Sequence, residues 1–149
     1  MAVRLRRAWA DLPGWALWVL AVYLIGFAEG TADHVRWMTH GGIHAYAQSY
    51  PQIAIQVLFV SLVVLDPLVF ALVAFVRREG IWLAAVVMAL DMAANWIGNW
   101  TGIRRDWVPN VPWLITLFGA LVLVTALPLL HATARARHDG SPRLSSWRS

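Results

Sequence analysis

Four apolar stretches, each long enough to cross a lipid bilayer, constrain the fold of this chain more than any other feature. Their predicted boundaries are about 13–37, 52–76, 81–100 and 111–131, and roughly twenty apolar residues suffice to cross a hydrocarbon core of about 30 Å. Charged residues make up only 13% of the chain, which disfavours a soluble domain. The sequence therefore predicts an all-α integral membrane protein, a single four-transmembrane-helix bundle over 1–138 with a disordered tail at 139–149.

The distribution of arginine predicts how this bundle is oriented. All 12 cationic residues are arginines. Nine of them lie before the first stretch, between the second and third, or after the fourth: Arg4, Arg6, Arg7, Arg77, Arg78, Arg135, Arg137, Arg143 and Arg148. Only Arg36, Arg104 and Arg105 lie on the other side. Because basic loops stay in the cytoplasm, we expect both termini to face it. The expected location is the bacterial cytoplasmic membrane. Since topology explains the arginines, we expect no nucleic-acid partner.

The residues that metal and thiol chemistry require are few. The chain has no cysteine, which excludes disulfides, thiolate ligands and thiol catalysis. His34, His40 and His44 fall near the outer face, where Gly41 and Gly42 interrupt a regular helix. This pattern favours loop histidines over a metal site, although it leaves metal binding open. The sequence predicts no cofactor.

Three acidic residues are candidates for a position deep in the bilayer, namely Glu29, Asp66 and Asp91. A charge at such a depth costs at least about 2.5–3.5 kcal/mol. At about 1.5 Å per residue, Asp66 lies about 22 Å below the outer surface and Asp91 about 16 Å above the inner one. In a slab of about 35–40 Å these two levels coincide to within one helical turn, and no arginine is deep enough to neutralise the pair. We therefore expect Asp66 and Asp91 to face each other and to share about one proton at neutral pH.

Amide side chains lie on the same helix face as one of these acids and form a polar surface with it. Asp91, Asn95 and Asn99 are spaced by four residues, so they share one helix face. The sequence therefore predicts a polar cavity inside the bundle. Its predicted catalytic residues are Glu29, Asp66 and Asp91, and its predicted substrate-binding residues are Asn95, Asn99, Gln56, Asp33 and Trp96. The alternative is that these groups only hydrogen-bond the helices to one another.

Two segments carry a family resemblance. Residues 57–67, VLFVSLVVLDP, precede two arginines and Gly80, and residues 111–115 read VPWLI. They resemble the second and final spans of the EXPERA superfamily, which includes the sigma-2 receptor and the emopamil-binding sterol isomerase. The resemblance implies a bundle around a lipid-accessible acidic pocket, with the first-span acid at Glu29 or Asp33. The family's second-span acid falls on Ser61 here, a departure that puts sterol isomerisation in doubt but leaves a pocket for a hydrophobic ligand.

The function that these patterns favour is acid/base chemistry on a hydrophobic molecule. We expect a small membrane enzyme that isomerises or cyclises an isoprenoid- or lipid-like substrate, with Asp66 and Asp91 as acid and base. Glu29 would then be a second proton relay or the acid itself. One alternative is a non-enzymatic hydrophobic-ligand binder or a proton-coupled small transporter working as a homodimer. Another is an accessory subunit of a larger membrane complex.

Overall fold

Five α-helices form the part of the chain described by the computed structural model, which covers residues 2–48, 50, 52–105 and 111–139. They are α1 (Ala2–Ala10), α2 (Gly14–Gln48), α3 (Ile53–Ala74), α4 (Arg78–Arg105) and α5 (Val111–Asp139). All of α2 and α3, the Arg78–Trp100 part of α4 and the Trp113–Ala136 part of α5 are long and apolar enough to cross a membrane. The predicted all-α fold with four spans is thus confirmed. From residue 140 onwards, the predicted tail lies outside the described residues.

The four long helices form a closed ring. Each packs against the next along the chain, and α5 returns to contact α2. Tyr23 joins the first and last spans, because its fully buried hydroxyl donates to the Val122 carbonyl at 2.7 Å and lies 3.0 Å from Thr125 Oγ1. The bundle has two ends. The α1 end holds the start of α2 and the α3–α4 turn. The opposite end, where α2 ends and α3 begins, is the cap end.

The helix α2 is longer than the predicted first span. The sequence predicts that this span ends at about residue 37 and that a loop connects it to the next span at about residue 52, yet α2 continues to Gln48. A single residue, Gly42, departs from helical geometry with φ 75° and ψ 172°. In a straight helix, residues 34 and 46 would be about 18 Å apart. Instead Tyr46 contacts His34, so Gly42 turns residues 43–48, the cap segment, back over the bundle.

The backbone conformation of Gly42 requires glycine at this position, and a substitution can test this requirement. Its combination of φ and ψ is accessible to glycine almost alone, because a Cβ atom would collide with the neighbouring peptide groups. We expect Gly42→Ala to lower the free energy of unfolding by about 1–2 kcal/mol. Thermal unfolding in detergent would measure this loss. If Gly42→Ala unfolded at the wild-type temperature, the cap segment would not depend on this turn.

A short helix, α1, precedes the first span. The first predicted element begins at about residue 13, yet α1 forms before it and packs on the bundle. The Trp9 indole Nε1 donates to the Ala74 carbonyl at 3.1 Å, which anchors α1 to the last turn of α3. Arg6 and Arg7 remain exposed. The α1 end of the bundle is therefore partly covered by a helix with a basic outer surface.

The turn between α3 and α4 is unusually tight. Val76 lies at φ 52°, a region that a β-branched residue rarely adopts. The Arg77 amide bonds the Leu72 carbonyl at 2.9 Å, and Gly80 then passes directly beside Leu72. A Cβ atom on Gly80 would lie 2.8 Å from the backbone carbon of Leu72. The glycine thus allows the two helices to meet closely at this end.

Candidate functional site

A cavity of about 270 Å³ lies inside the bundle, between α2 and α5, with α3 and α4 behind it. Its lining residues are Gly26, Phe27, Glu29, Gly30, Asp33, His34, Asp66, Met88, Asp91, Leu114, Ile115 and Phe118. Glu29, Asp33, Asp66 and Asp91 therefore line one cavity. Around the carboxyl groups, the walls are largely aromatic and aliphatic.

Asp66 forms the centre of a short polar chain. It is 5% exposed, and its Oδ2 lies 3.5 Å from Nε2 of His34, within ion-pair distance. The other ring nitrogen of His34, Nδ1, lies 2.5 Å from the hydroxyl of the buried Tyr46 in the cap segment. Tyr46, His34 and Asp66 are thus linked in series from the cap end to the cavity. Such a chain can hold a proton either on the imidazole or on the carboxyl group.

Two glycines of α2 make room for this arrangement. A Cβ atom on Gly30 would lie 2.6 Å from Asp66 Oδ2, so only glycine lets the carboxylate approach the helix this closely. One turn earlier, a Cβ atom on Gly26 would overlap the ring of Phe118. Two small residues four positions apart can let neighbouring helices pack closely. The glycines do so by receiving a carboxylate and an aromatic ring from neighbouring helices.

Asp91 is held by its own helix. The side-chain Nδ2 of Asn95 donates to Asp91 Oδ1 at 2.9 Å and to the Asp91 carbonyl at 3.0 Å. Asn99 continues the stripe by donating to the Asn95 carbonyl at 2.9 Å. Neither asparagine lines the cavity, although Asn95 is buried. Asn95 is therefore placed to orient Asp91, whereas Asn99 lies one turn further away.

The two remaining predicted binding residues lie elsewhere. Gln56 donates to the Tyr50 carbonyl at 2.6 Å, and Tyr50 stacks on Phe59 with ring centroids 4.4 Å apart. Burial is the main cause that raises the pKa of Tyr50, and Asp91 and Asp33 add to it, so its hydroxyl stays neutral. Trp96 donates to Thr116 Oγ1 at 2.7 Å and borders a separate surface hollow with Ile97 and Trp100.

The cavity opens sideways, between α2 and α5. Glu29 and Asp33 are exposed, and Asp33 lies 3.4 Å from Arg36 in a solvent-accessible ion pair. Leu114 lines the same cavity and is 65% exposed, on a helix long and apolar enough to span a membrane. The mouth therefore combines an apolar surface suited to contact with lipid and a polar edge. Glu29 belongs to this edge and not to the buried centre.

The histidines differ from the sequence prediction. His34, His40 and His44 were expected in a loop, but all three lie within α2, where His40 and His44 are exposed. His34 is the residue that sequence reasoning missed. Its position seven residues after Phe27 and four after Gly30 places it on the same inward face, and this spacing was available as a signal. Within the described ranges, no three His, Asp or Glu side chains form a group that could hold a metal ion.

No family model, curated protein or solved structure matches this chain. The resemblance to the EXPERA superfamily therefore stays a prediction. What the geometry offers is a buried carboxyl group coupled to an imidazole, a second carboxyl group across the same cavity, and apolar walls. These are the components that proton transfer to and from a hydrophobic ligand requires.

Proposed function

We propose that this protein is a small integral-membrane enzyme that isomerises or cyclises a hydrophobic, isoprenoid-like substrate by acid/base catalysis. The observation that carries this proposal is the Tyr46–His34–Asp66 chain, which reaches a cavity that Asp91 also lines. A site with two carboxyl groups and a linked imidazole can donate a proton on one side of a ligand and accept one on the other. Neither step needs a cofactor.

The proposed roles follow from the contacts of each residue. Asp66 donates a proton to a carbon–carbon double bond and recovers one through His34. Asp91, oriented by Asn95 at 2.9 Å, accepts the proton lost from the adjacent carbon. In an isomerisation the substrate gains and loses one proton, so its atoms balance. Glu29, at the exposed edge, exchanges protons between the cavity and water.

The size and opening of the cavity support a substrate with a long apolar tail. Its volume of about 270 Å³ is below the range of about 300–1,000 Å³ that is typical of pockets enclosing a drug-sized ligand. Only the reacting end of a prenyl or acyl chain fits, beside Phe27 and Phe118. The rest of the chain would leave through the mouth between α2 and α5 and remain in the bilayer.

Deuterium incorporation from solvent tests this proposal directly. The purified protein would be placed in nanodiscs with isoprenoid lipids extracted from the host membrane, and incubated in D₂O. Acid/base turnover transfers solvent deuterium to carbon, so recovered lipids should gain mass only when the protein is present. Lipids that stay unlabelled, together with pH-gradient-driven uptake of a ligand into vesicles, would instead identify a proton-coupled transporter.

We further propose that both termini and the α3–α4 turn face the cytoplasm, because the arginines concentrate at that end of the bundle. The chain contains no cysteine that would confuse a labelling experiment. A cysteine introduced as Arg78→Cys should react with a membrane-impermeant maleimide only after the cells are opened. His40→Cys should react in intact cells. Labelling of position 78 from outside would reverse the proposed orientation.

A further inference from the structure

A second cavity, of about 690 Å³, lies at the α1 end of the bundle, away from the acidic site. The start of α2 and the end of α5 form it. Because α2 and α5 are both spans, this cavity lies where the bilayer meets water. Trp15, 46% exposed, contributes an indole ring to its wall, and such rings favour the level of the lipid headgroups.

One face of α5 supplies the basic side of this cavity. His131 and Arg135 are four residues apart and therefore project from the same face of the helix. Pro128 and Ala132 of the same face are apolar and complete this wall below the charged groups. The arrangement places a guanidinium group and an imidazole beside each other, above a surface suited to glycerol and acyl carbons. Arginine in particular binds phosphate oxygens in a two-pronged geometry.

An acidic residue faces this basic wall. Asp11 follows α1 directly, and its backbone amide bonds the Arg7 carbonyl at 3.0 Å. The anchoring of Trp9 on Ala74 and the burial of Leu12 fix this turn on both sides of Asp11. Asp11 thus occupies a defined place across the cavity from α5.

The charged groups of this cavity are not satisfied by one another. Among the residues that the structure describes, neither Asp11 nor Arg135 forms an ion pair. The cavity therefore presents one carboxylate and one guanidinium group, with an imidazole beside the latter. A ligand that complements this pattern carries a phosphate and a primary ammonium group on a short spacer. A phosphodiester alone would leave Asp11 unpaired, and a quaternary ammonium group could not donate a hydrogen bond to it.

We propose that this cavity is a binding site for a phosphoethanolamine group, with its phosphate on Arg135 and His131 and its ammonium group on Asp11. The group has two sources: the headgroup of a phosphatidylethanolamine molecule in the adjoining leaflet, or a soluble glycerophosphoethanolamine. The site is independent of the acidic cavity and of the chemistry proposed there.

Native mass spectrometry of the delipidated full-length protein tests this site. The protein would be titrated separately with phosphatidylethanolamine, phosphatidylglycerol, phosphatidylcholine and soluble glycerophosphoethanolamine. We expect phosphatidylethanolamine to bind about tenfold more tightly than the other two lipids, because only it satisfies both charged walls. Arg135→Gln should weaken its binding about tenfold. Asp11→Asn should remove the preference over phosphatidylglycerol. Arg78→Gln, an exposed arginine of the same end that does not line the cavity, serves as the control and should bind like the wild type.

Each outcome decides the proposal. Binding of the soluble compound as tightly as the lipid would assign the site to a soluble ligand, whereas binding of the lipid alone would assign it to the bilayer. Equal affinity for all three lipids would overturn the proposal, and so would wild-type binding by Arg135→Gln. The thermal unfolding temperature of each variant shows that a loss of binding does not come from a loss of fold.

Discussion

Asp66→Asn should reduce deuterium incorporation into lipid by at least about 100-fold, the lower bound of what a positioned general acid contributes. Asparagine has the size of aspartate and keeps its hydrogen-bonding capacity, but it cannot donate a proton to carbon or receive one from His34. The fold should persist, since a neutral amide is cheaper than a carboxylate inside a bilayer. Asp91→Asn should show a loss of similar size, because the base is as necessary as the acid.

A matched control for these variants is Glu79→Gln, which also converts one carboxyl group to an amide. Glu79 is exposed at the α3–α4 turn and pairs with Arg77 at 3.2 Å, far from the cavity. The Glu79→Gln variant should incorporate deuterium into lipid at the wild-type rate. Wild-type incorporation by both Asp66→Asn and Asp91→Asn would contradict the proposed chemistry and leave the two acids as groups that only hold the helices together.

Gly80→Ala should lower the free energy of unfolding by about 3 kcal/mol, the largest loss of stability that we expect from a single methyl group. The added Cβ would lie 2.7 Å from Leu72 Cβ and 2.8 Å from both Leu72 C and Val73 N. Two of these atoms belong to the backbone, so no change of rotamer relieves the contact. The helices α3 and α4 would have to separate at this turn, and the buried Val73 and Ile81 would lose contacts.

Gly14→Ala provides the comparison for Gly80→Ala. Gly14 is the first residue of α2, and a Cβ atom there meets nothing within 4 Å. Alanine is the better helix former, so this variant should unfold at or slightly above the wild-type temperature. Equal unfolding temperatures for Gly80→Ala and Gly14→Ala would show that the turn adapts without cost.

The convergence of the acids was predictable because helical geometry is regular. Once the four spans were located, a constant rise per residue placed Asp66 and Asp91 at one depth, and a spacing of four residues placed Asp91, Asn95 and Asn99 on one helix face. No knowledge of neighbouring helices was needed. The number of spans followed from the lengths of the apolar stretches, and this prediction is confirmed.

The sequence did not reveal features that depend on a single backbone turn or on competition for a hydrogen bond. Gly42 directs the cap segment back, and only then do Tyr46 and His34 meet across twelve residues. Asn99 lies on the predicted stripe, yet its amide is engaged by a carbonyl of its own helix. Trp96 has the expected depth, but Thr116 of α5 holds it away from the acids. Depth and face can be counted along a chain, whereas the choice between two partners depends on distances that only the folded bundle defines.

The contact between Tyr23 and Val122, ninety-nine residues apart, has a consequence for biosynthesis. The ribosome releases the first span long before α5, so the ring of helices cannot close until α5 has also been released. Until then, the side of α2 that carries Phe27 and Gly30 has no α5 beside it, and the carboxyl groups behind it stay accessible from the open side of an intermediate with three spans. The acids are therefore enclosed only when α5 packs against α2, and this one step assembles the cavity.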